Sequence, residues 1–413
     1  MNSPLYTKLS AWPILVVFLG GCSSVPEDRG VGKIEEAFVA QWATEIDLPS
    51  PDEDNAMTDQ ELVTVLGGEL SLAESEEIAI RRNPLVRTIL AEVGVSEADY
   101  AQAARLENPG FGYERFSGEE YTSTLIFDIG GLLLMPLRRD IELRRLKMSQ
   151  LNAAGAIMDH IAATRVAWIR AVAEKHQTAI MERVLESSLA GNQLTRQMSS
   201  LGHSSTIEAA RSEMQLSQLQ AALAKQRLAE LSAREELVKR LGLWGLDARR
   251  IKLPDNLPAL PEQISEIPSV EQEAIENRLD VRVAVFVVER MAKNLALTRR
   301  NPFLSAIELG PVADVADGES EVGYELEFRI PIFDAGGIQN EKARILFDQA
   351  QARAEVAAIN AASESRVAYL GYVNSWAIAE QYEKLLLPLR KRISQELLLI
   401  YNGMLISVFD LMA

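Results

Sequence analysis

The chain has one cysteine, Cys22, and three histidines, His160, His176 and His203, among its 413 residues. One cysteine excludes an internal disulfide framework, so its position becomes the informative part. The histidines fall on two helical segments and a turn, without the His/Cys/Asp spacing of a zinc site. No P-loop, Ser-His-Asp arrangement or Gly-rich dinucleotide turn is present. Asp128 and Asp334 each lie in a structural junction, not in an acid pair built for catalysis. These absences leave no enzyme, metal or cofactor to expect. Positive charge is short too, with 42 Lys and Arg against 59 Asp and Glu, a formal net charge of -17. Binding to phosphates needs Lys and Arg, so nucleic acid is excluded as a partner. The acidic balance fits a periplasmic or extracellular protein, or a channel lined with carboxylates. The length allows one large core or two or three domains.

What is present begins at the N-terminus. Lys8 gives a weakly positive start, and Ala11 to Leu19 is an apolar run too short to span a bilayer as a helix. Leu19-Gly20-Gly21-Cys22 follows and resembles a bacterial lipobox, in which the cysteine is lipidated and becomes the N-terminus after cleavage. An ordinary signal peptide with an incidental cysteine is the alternative. Ser23 follows the cysteine in place of an Asp that would resemble an inner-membrane retention signal. Residues 1–21 are therefore expected to be a lipoprotein signal peptide and Cys22 the lipid anchor in outer-membrane lipid. Residues 22–69 are acidic and turn-rich, for example Pro49-Ser50-Pro51-Asp52-Glu53-Asp54-Asn55, and are expected to be an extended tether.

One phrase is written twice. Leu125 to Gly131 reads LIFDIGG and Pro331 to Gly337 reads PIFDAGG, with five of seven positions identical. Ala79 to Arg87 lines up with Ala274 to Arg282, Asn108-Pro109 with Asn301-Pro302, and Leu201-Gly202 loosely with Asn402-Gly403. The order implies two copies of a unit of about two hundred residues. The copies are 70–250 and 268–413, joined by a proline-rich linker at 251–267.

Within each copy the period changes. Val322, Tyr324, Leu326, Phe328, Ile330 and Ile332 alternate with Gly323, Glu325, Glu327, Arg329 and Pro331, a strand with one apolar and one charged face. Leu304 to Gly310 is its less strict partner, and Phe111 to Phe116 with Tyr121 to Ile129 are the first-copy equivalents. The hairpins span 110–130 and 303–333. Four strands near the roughly 9–11 residues that cross a bilayer cannot close a barrel alone, and open edges are not tolerated in lipid. Several chains would have to share one barrel; a soluble sandwich of two hairpins is the alternative. Glu325, Glu327 and Arg329 are the candidate lumen residues. After each hairpin comes a helix of about sixty residues, ~90 Å long at 1.5 Å per residue. These helices run from Leu137 to Ser199 and from Ile338 to Tyr401, and a third covers Thr206 to Leu241, giving a helical hairpin over 137–242. Pro388 should kink the second. In the two junctions, Asp128 and Asp334 are expected to cap the helix, and Gly130, Gly131, Gly336 and Gly337 to supply backbone angles that other residues avoid.

The lipobox, the two I-F-D-x-G-G junctions, Arg81-Arg82-Asn83-Pro84 and Tyr401-Asn402-Gly403 together resemble the lipidated branch of the TolC-type outer-membrane efflux proteins, from about Leu70 to Ala413. The resemblance implies a membrane α/β fold. Four transmembrane strands per protomer join a twelve-stranded barrel in a homotrimer, continuous with a coiled-coil periplasmic tunnel. It implies a passive exit duct for tripartite efflux or type I secretion, served by a periplasmic adaptor and, indirectly, an inner-membrane pump. Residue by residue, the adaptor-docking tips fall on Arg196, Leu201, Gly202 and Ser205 and on Tyr401, Gly403 and Ser407. Asp410 matches one acidic aperture position; Ala413 stands at a second, so a double carboxylate ring is not expected. The second copy ends about ten residues past Gly403, without the returning helix of the first, which implies a fragment or a truncated chain. A structural coiled-coil envelope lipoprotein, anchored by its lipid only, is the competing reading.

Overall fold

The computed structural model describes residues 25–42, 46–49, 57–116, 120–304, 307–316, 319–328 and 336–406. Its first helices stand where an extended tether was expected. In α1 (Val31–Trp42), Asp28 caps the start by accepting from the backbone N–H groups of Gly30 and Gly32, both at 3.1 Å. Ile34 and Phe38, one turn apart, are 0% and 1% exposed. α2 (Asp59–Val65) opens on a reciprocal capping box: Thr58 accepts from Glu61 N–H, and the Glu61 carboxylate accepts from Thr58 N–H. The described helices at Val31–Trp42 and Asp59–Val65 thus correct the expectation of a tether there. A few apolar side chains at helical spacing suffice once longer helices offer them a wall to bury against.

α3 (Leu72–Arg81) and α4 (Pro84–Ala103) lead to the strands β1 (Gly110–Arg115) and β2 (Tyr121–Asp128). Then come α5 (Ile129–Ser200), α6 (Thr206–Leu241) and the short α7 (Gly245–Arg250). The second half repeats the order with α8 (Val270–Asn277), α9 (Leu279–Leu304), β3 (Ile307–Ala316), β4 (Glu319–Phe328) and α10 (Gly337–Gln381). A π-turn at Tyr382–Leu386 leads into α11 (Leu387–Asn402). Among the described residues no helix is long and apolar enough to cross a membrane.

Several boundaries differ from the expected ones. The first long helix starts at Ile129, not Leu137, and takes Pro136 inside it. Proline costs a helical hydrogen bond to Leu132, whose position is exposed and open to water. Leu304 ends α9 and is not a strand residue; β3 runs on to Ala316 through Pro311. Pro388 was expected to kink this helix; the structure has a π-turn just before that proline. Its ring crowds the carbonyl four residues back, and the helix widens so that Leu387 N–H reaches Tyr382 O, five residues back.

The strands form one antiparallel sheet in the order β1-β2-β3-β4. Pro311 has no N–H to give, and the β2–β3 ladder is interrupted there while the register on either side is the same. Gly310 lies against the backbone of Leu125, where a Cβ would overlap the Leu125 carbonyl.

The chain divides into two compact units. One contains Leu90–Ala154, Leu279–Ala358 and the described residues before Glu45, hence α1 and the sheet. The other contains Ile46–Ile89, Gly155–Arg278 and the described part of Ile359–Ala413. Its core packs Met57, Leu62 and Leu70 with Trp168, Leu237, Leu241 and Ile251, and the Trp168 indole donates to Leu70 O at 2.9 Å. Asn83 joins two helix ends in this unit. Its side-chain oxygen caps α4 by accepting from Leu85 N–H at 2.9 Å, and its amide donates to Arg240 O, the last turn of α6, at 2.7 Å. His160 Nε2 lies 3.4 Å from that amide. The linker at 251–267 has no helix or strand but is well held. Lys175 binds Leu253 O at 2.6 Å and the Asp255 carboxylate at 2.7 Å, keeping that carboxyl below its usual pKa range. Further along, Trp376 donates to Pro261 O at 2.8 Å.

Candidate functional site

Pairing decides which side chains share a face of the sheet. One face carries Glu114, Asp128, Glu308, Asp314, Glu319, Glu321, Glu325 and Glu327, and no Lys or Arg among the described strand residues. The other carries Phe111, Tyr113, Tyr121, Leu125, Phe127, Leu309, Val322, Tyr324 and Leu326, with Arg115 at the end of β1 opposite Tyr121. The apolar face is open: Phe111 is 72%, Tyr324 87% and Leu326 60% exposed.

The acidic face sets like charges side by side. Asp128 is directly opposite Glu308, which is opposite Glu327, and Asp314 is opposite Glu321. Like charges in directly opposed positions are destabilising, a cost that high-dielectric, salt-screened water reduces. Thr122 donates to Asp314. Among the described residues no three His, Cys, Asp or Glu side chains converge to hold a metal ion. The arrangement suits a wetted wall, not a ligand cage.

Glu325 and Glu327 lie on this wall; Arg329 is outside the described residues. Glu114, Glu308, Asp314 and Glu321 share it but were not among the candidate lumen residues. Their signal was weak, because Gly310 and Pro311 break the alternation of β3 and β1 has only six residues.

At the first junction the Asp128 carboxylate accepts from Gly131 N–H at 2.7 Å, an N-terminal cap for α5. Gly130 and Gly131 are helical, which corrects the expectation of unusual angles there. The reason for glycine at 131 is space, since a Cβ would overlap the Asp128 carboxylate. At the second junction Asp334 lies outside the described residues, Gly336 has φ +80° and Gly337 begins α10.

The α5–α6 turn has Gly202 at φ +77° and Leu201 72% exposed. Ser205 is tied up as the N-cap of α6, with Glu208 completing the box. Arg196 pairs with Glu213 across the helical hairpin at 2.7 Å, so its charge is already partnered. At the second turn the left-handed residue is Met404, φ +60°, and not Gly403, φ -77°. Tyr401 is half-buried, while Met404 and Leu405 are 92% and 78% exposed. Cys22, Ser407 and Asp410 lie outside the described residues.

No family model matches the chain, and no curated protein matches it in sequence. Solved structures do match it. The CmeC outer membrane channel of Campylobacter jejuni is 13% identical, with a TM-score of 0.65, covering 100% of this chain and 87% of CmeC. The outer membrane protein VceC of Vibrio cholerae is 12% identical, with a TM-score of 0.64, covering 86% of this chain and 90% of VceC. The MtrE outer membrane channel of Neisseria gonorrhoeae, in its open state, is 18% identical, with a TM-score of 0.57 and coverage of 83% and 81%. The chain has the fold of the TolC-type outer-membrane efflux channels.

Proposed function

We propose that the chain is one protomer of a homotrimeric outer-membrane channel, a passive exit duct in an efflux or type I secretion system. The observation that carries the reading is the sheet, with one acidic face, one exposed apolar face, and edges β1 and β4 without a strand partner among the described residues. In hydrocarbon each unsatisfied backbone group costs several kcal/mol, so such edges have to pair. The two edges are different surfaces. Joining β1 of one copy to β4 of the next is a heterologous contact, which closes into a ring when the rotation between copies closes. With three copies of a four-stranded sheet the ring has twelve strands. β3 and β4 have ten residues each, within the roughly 9–11 that cross a bilayer when tilted. The apolar face then meets lipid and the acidic face, with Glu325 and Glu327, lines a water-filled lumen; the reverse would put carboxylates in hydrocarbon.

The remaining assignments follow this reading. Cys22 carries the lipid anchor. Copies 70–250 and 268–413 are duplicates, in which α3, α4, β1, β2 and α5 answer to α8, α9, β3, β4 and α10. The turns near Leu201–Gly202 and Tyr401–Gly403 meet a periplasmic adaptor, Asp410 lies at the periplasmic aperture, and an inner-membrane pump supplies energy and selection. The test is extraction of the full chain into detergent, followed by native mass and planar-bilayer conductance. A trimer with strand signal and stable conductance is expected; a monomer without strand signal would overturn the reading. Cys22→Ser separates it from a lipid-anchored spacer. A barrel stays embedded after that change, whereas a spacer is released.

A further inference from the structure

Where β2 passes into α5, unit one has an open groove of about 1070 Å³. Phe127, Leu132, Met135, Ile141 and Leu297 form its apolar wall. Phe127 belongs to the apolar face of the sheet, so the wall continues that face past the end of the strand. Leu106 and Leu132 remain 50% and 44% exposed, so the protomer does not fill the groove itself. Pockets that bury most of a small ligand run to roughly 300–1,000 Å³, and this one is just above that range.

The rim carries both charges. Arg138 pairs with Glu107 at 2.7 Å, and Arg145 with Asp99 at 3.1 Å. Arg145 also reaches Glu142 at 3.4 Å; the arginine side chains are 38% and 47% exposed and the Glu107 and Asp99 carboxylates 62% and 42%, so the guanidinium forks keep further N–H donors toward solvent. A rim of one sign would select a simple ion. Alternating signs fit a head that is itself a dipole: a phosphate for the guanidinium forks and an ammonium for the carboxylates.

We propose that this groove binds one zwitterionic glycerophospholipid per protomer. An acyl chain lies along the Phe127–Met135–Leu297 wall, and the phosphate–ammonium head sits on the Arg138–Glu107 and Arg145–Asp99 pairs. The proposal rests on the reading of the sheet as membrane-inserted, which puts the junction at the level of lipid headgroups. The lipid then braces the cap at Asp128 and the first turns of α5.

The experiment uses the full chain in mild detergent with added phosphatidylethanolamine, read by native mass spectrometry. Carbonate-resistant membrane association and strand content are measured on the same preparations. One phospholipid adduct per protomer is expected. Met135→Trp, which fills the wall, and the exposed pair Arg138→Gln with Arg145→Gln are each expected to lower retention about tenfold. An embedded, strand-rich protein that holds no lipid overturns the proposal and leaves the channel reading standing. A protein that is not embedded overturns both. A phosphatidylethanolamine adduct that appears in Cys22→Ser but not in the lipidated chain identifies the chain's own acyl group as the occupant and overturns the proposal. Met135→Trp that breaks the trimer without releasing lipid overturns it in favour of a second copy.

Discussion

Asn83 is one side chain closing two helices, and Asn83→Ala tests that directly. It is 7% exposed, accepts from Leu85 N–H at the start of α4 and donates to Arg240 O at the end of α6. Losing an Asn N-cap costs about 1 kcal/mol. Removing the amide donor from the part-buried Arg240 carbonyl costs a further ~0.5–1.5 kcal/mol, the net worth of one hydrogen bond. Together these give about 1.5–2.5 kcal/mol, or roughly 10- to 60-fold in a local opening equilibrium. Gly242 leaves no slack for a shift, since it sits at φ +70° and a Cβ there would lie 2.8 Å from Asn83 Cα. Hydrogen exchange reads the effect locally, at the first amides of α4 and at Gly242 and Leu243, which donate to Lys239 O and Val238 O. Asn83→Ser is the control. It keeps a cap for α4 and loses the reach to α6, so only the second part of the loss is expected. Protection unchanged within about threefold at both helix ends in the alanine variant would refute the two-ended role.

Two further outcomes follow from individual positions. Burial pushes the pKa of His160 down, and the charge of Arg240 pushes the same way. The unfolded chain, with an ordinary value near 6.5, therefore binds more protons than the folded one below that pH. Stability of the second unit should be complete above about pH 6.5 and fall as pH drops through the window down to the depressed folded value. His160→Gln should abolish that slope in an exchange series from pH 7.5 to about 5, and a variant with the wild-type slope would disprove the assignment. Gly310→Val should part β2 from β3, because the new side chain overlaps the Leu125 carbonyl. The expected result is loss of strand signal and conductance with the Trp168 core still folded; normal conductance would show that the approach is not required.

The sequence determined the kinds of elements. Strict alternation from Val322 to Phe328 and long stretches of good helix formers are local patterns, and they produced β4 and the helices on local grounds. Asp128 was legible as a cap because a cap acts within three residues, and Pro388 as a disturbance because its ring acts within four. The tertiary structure alone decided the rest. α1 was hidden because its helical stripe is only Val31, Ile34 and Phe38 in an acidic segment, and its burial depends on residues distant in sequence. The acidic wall was hidden because Asp128, Glu308 and Glu327 are scattered over two hairpins, and only strand register sets them in a row. Asn83 stood out only as part of the Arg81-Arg82-Asn83-Pro84 motif, since its second partner lies 157 positions away at Arg240. Local propensity acts over a few residues; which faces align and which helix ends meet is set by packing between segments that no short window contains.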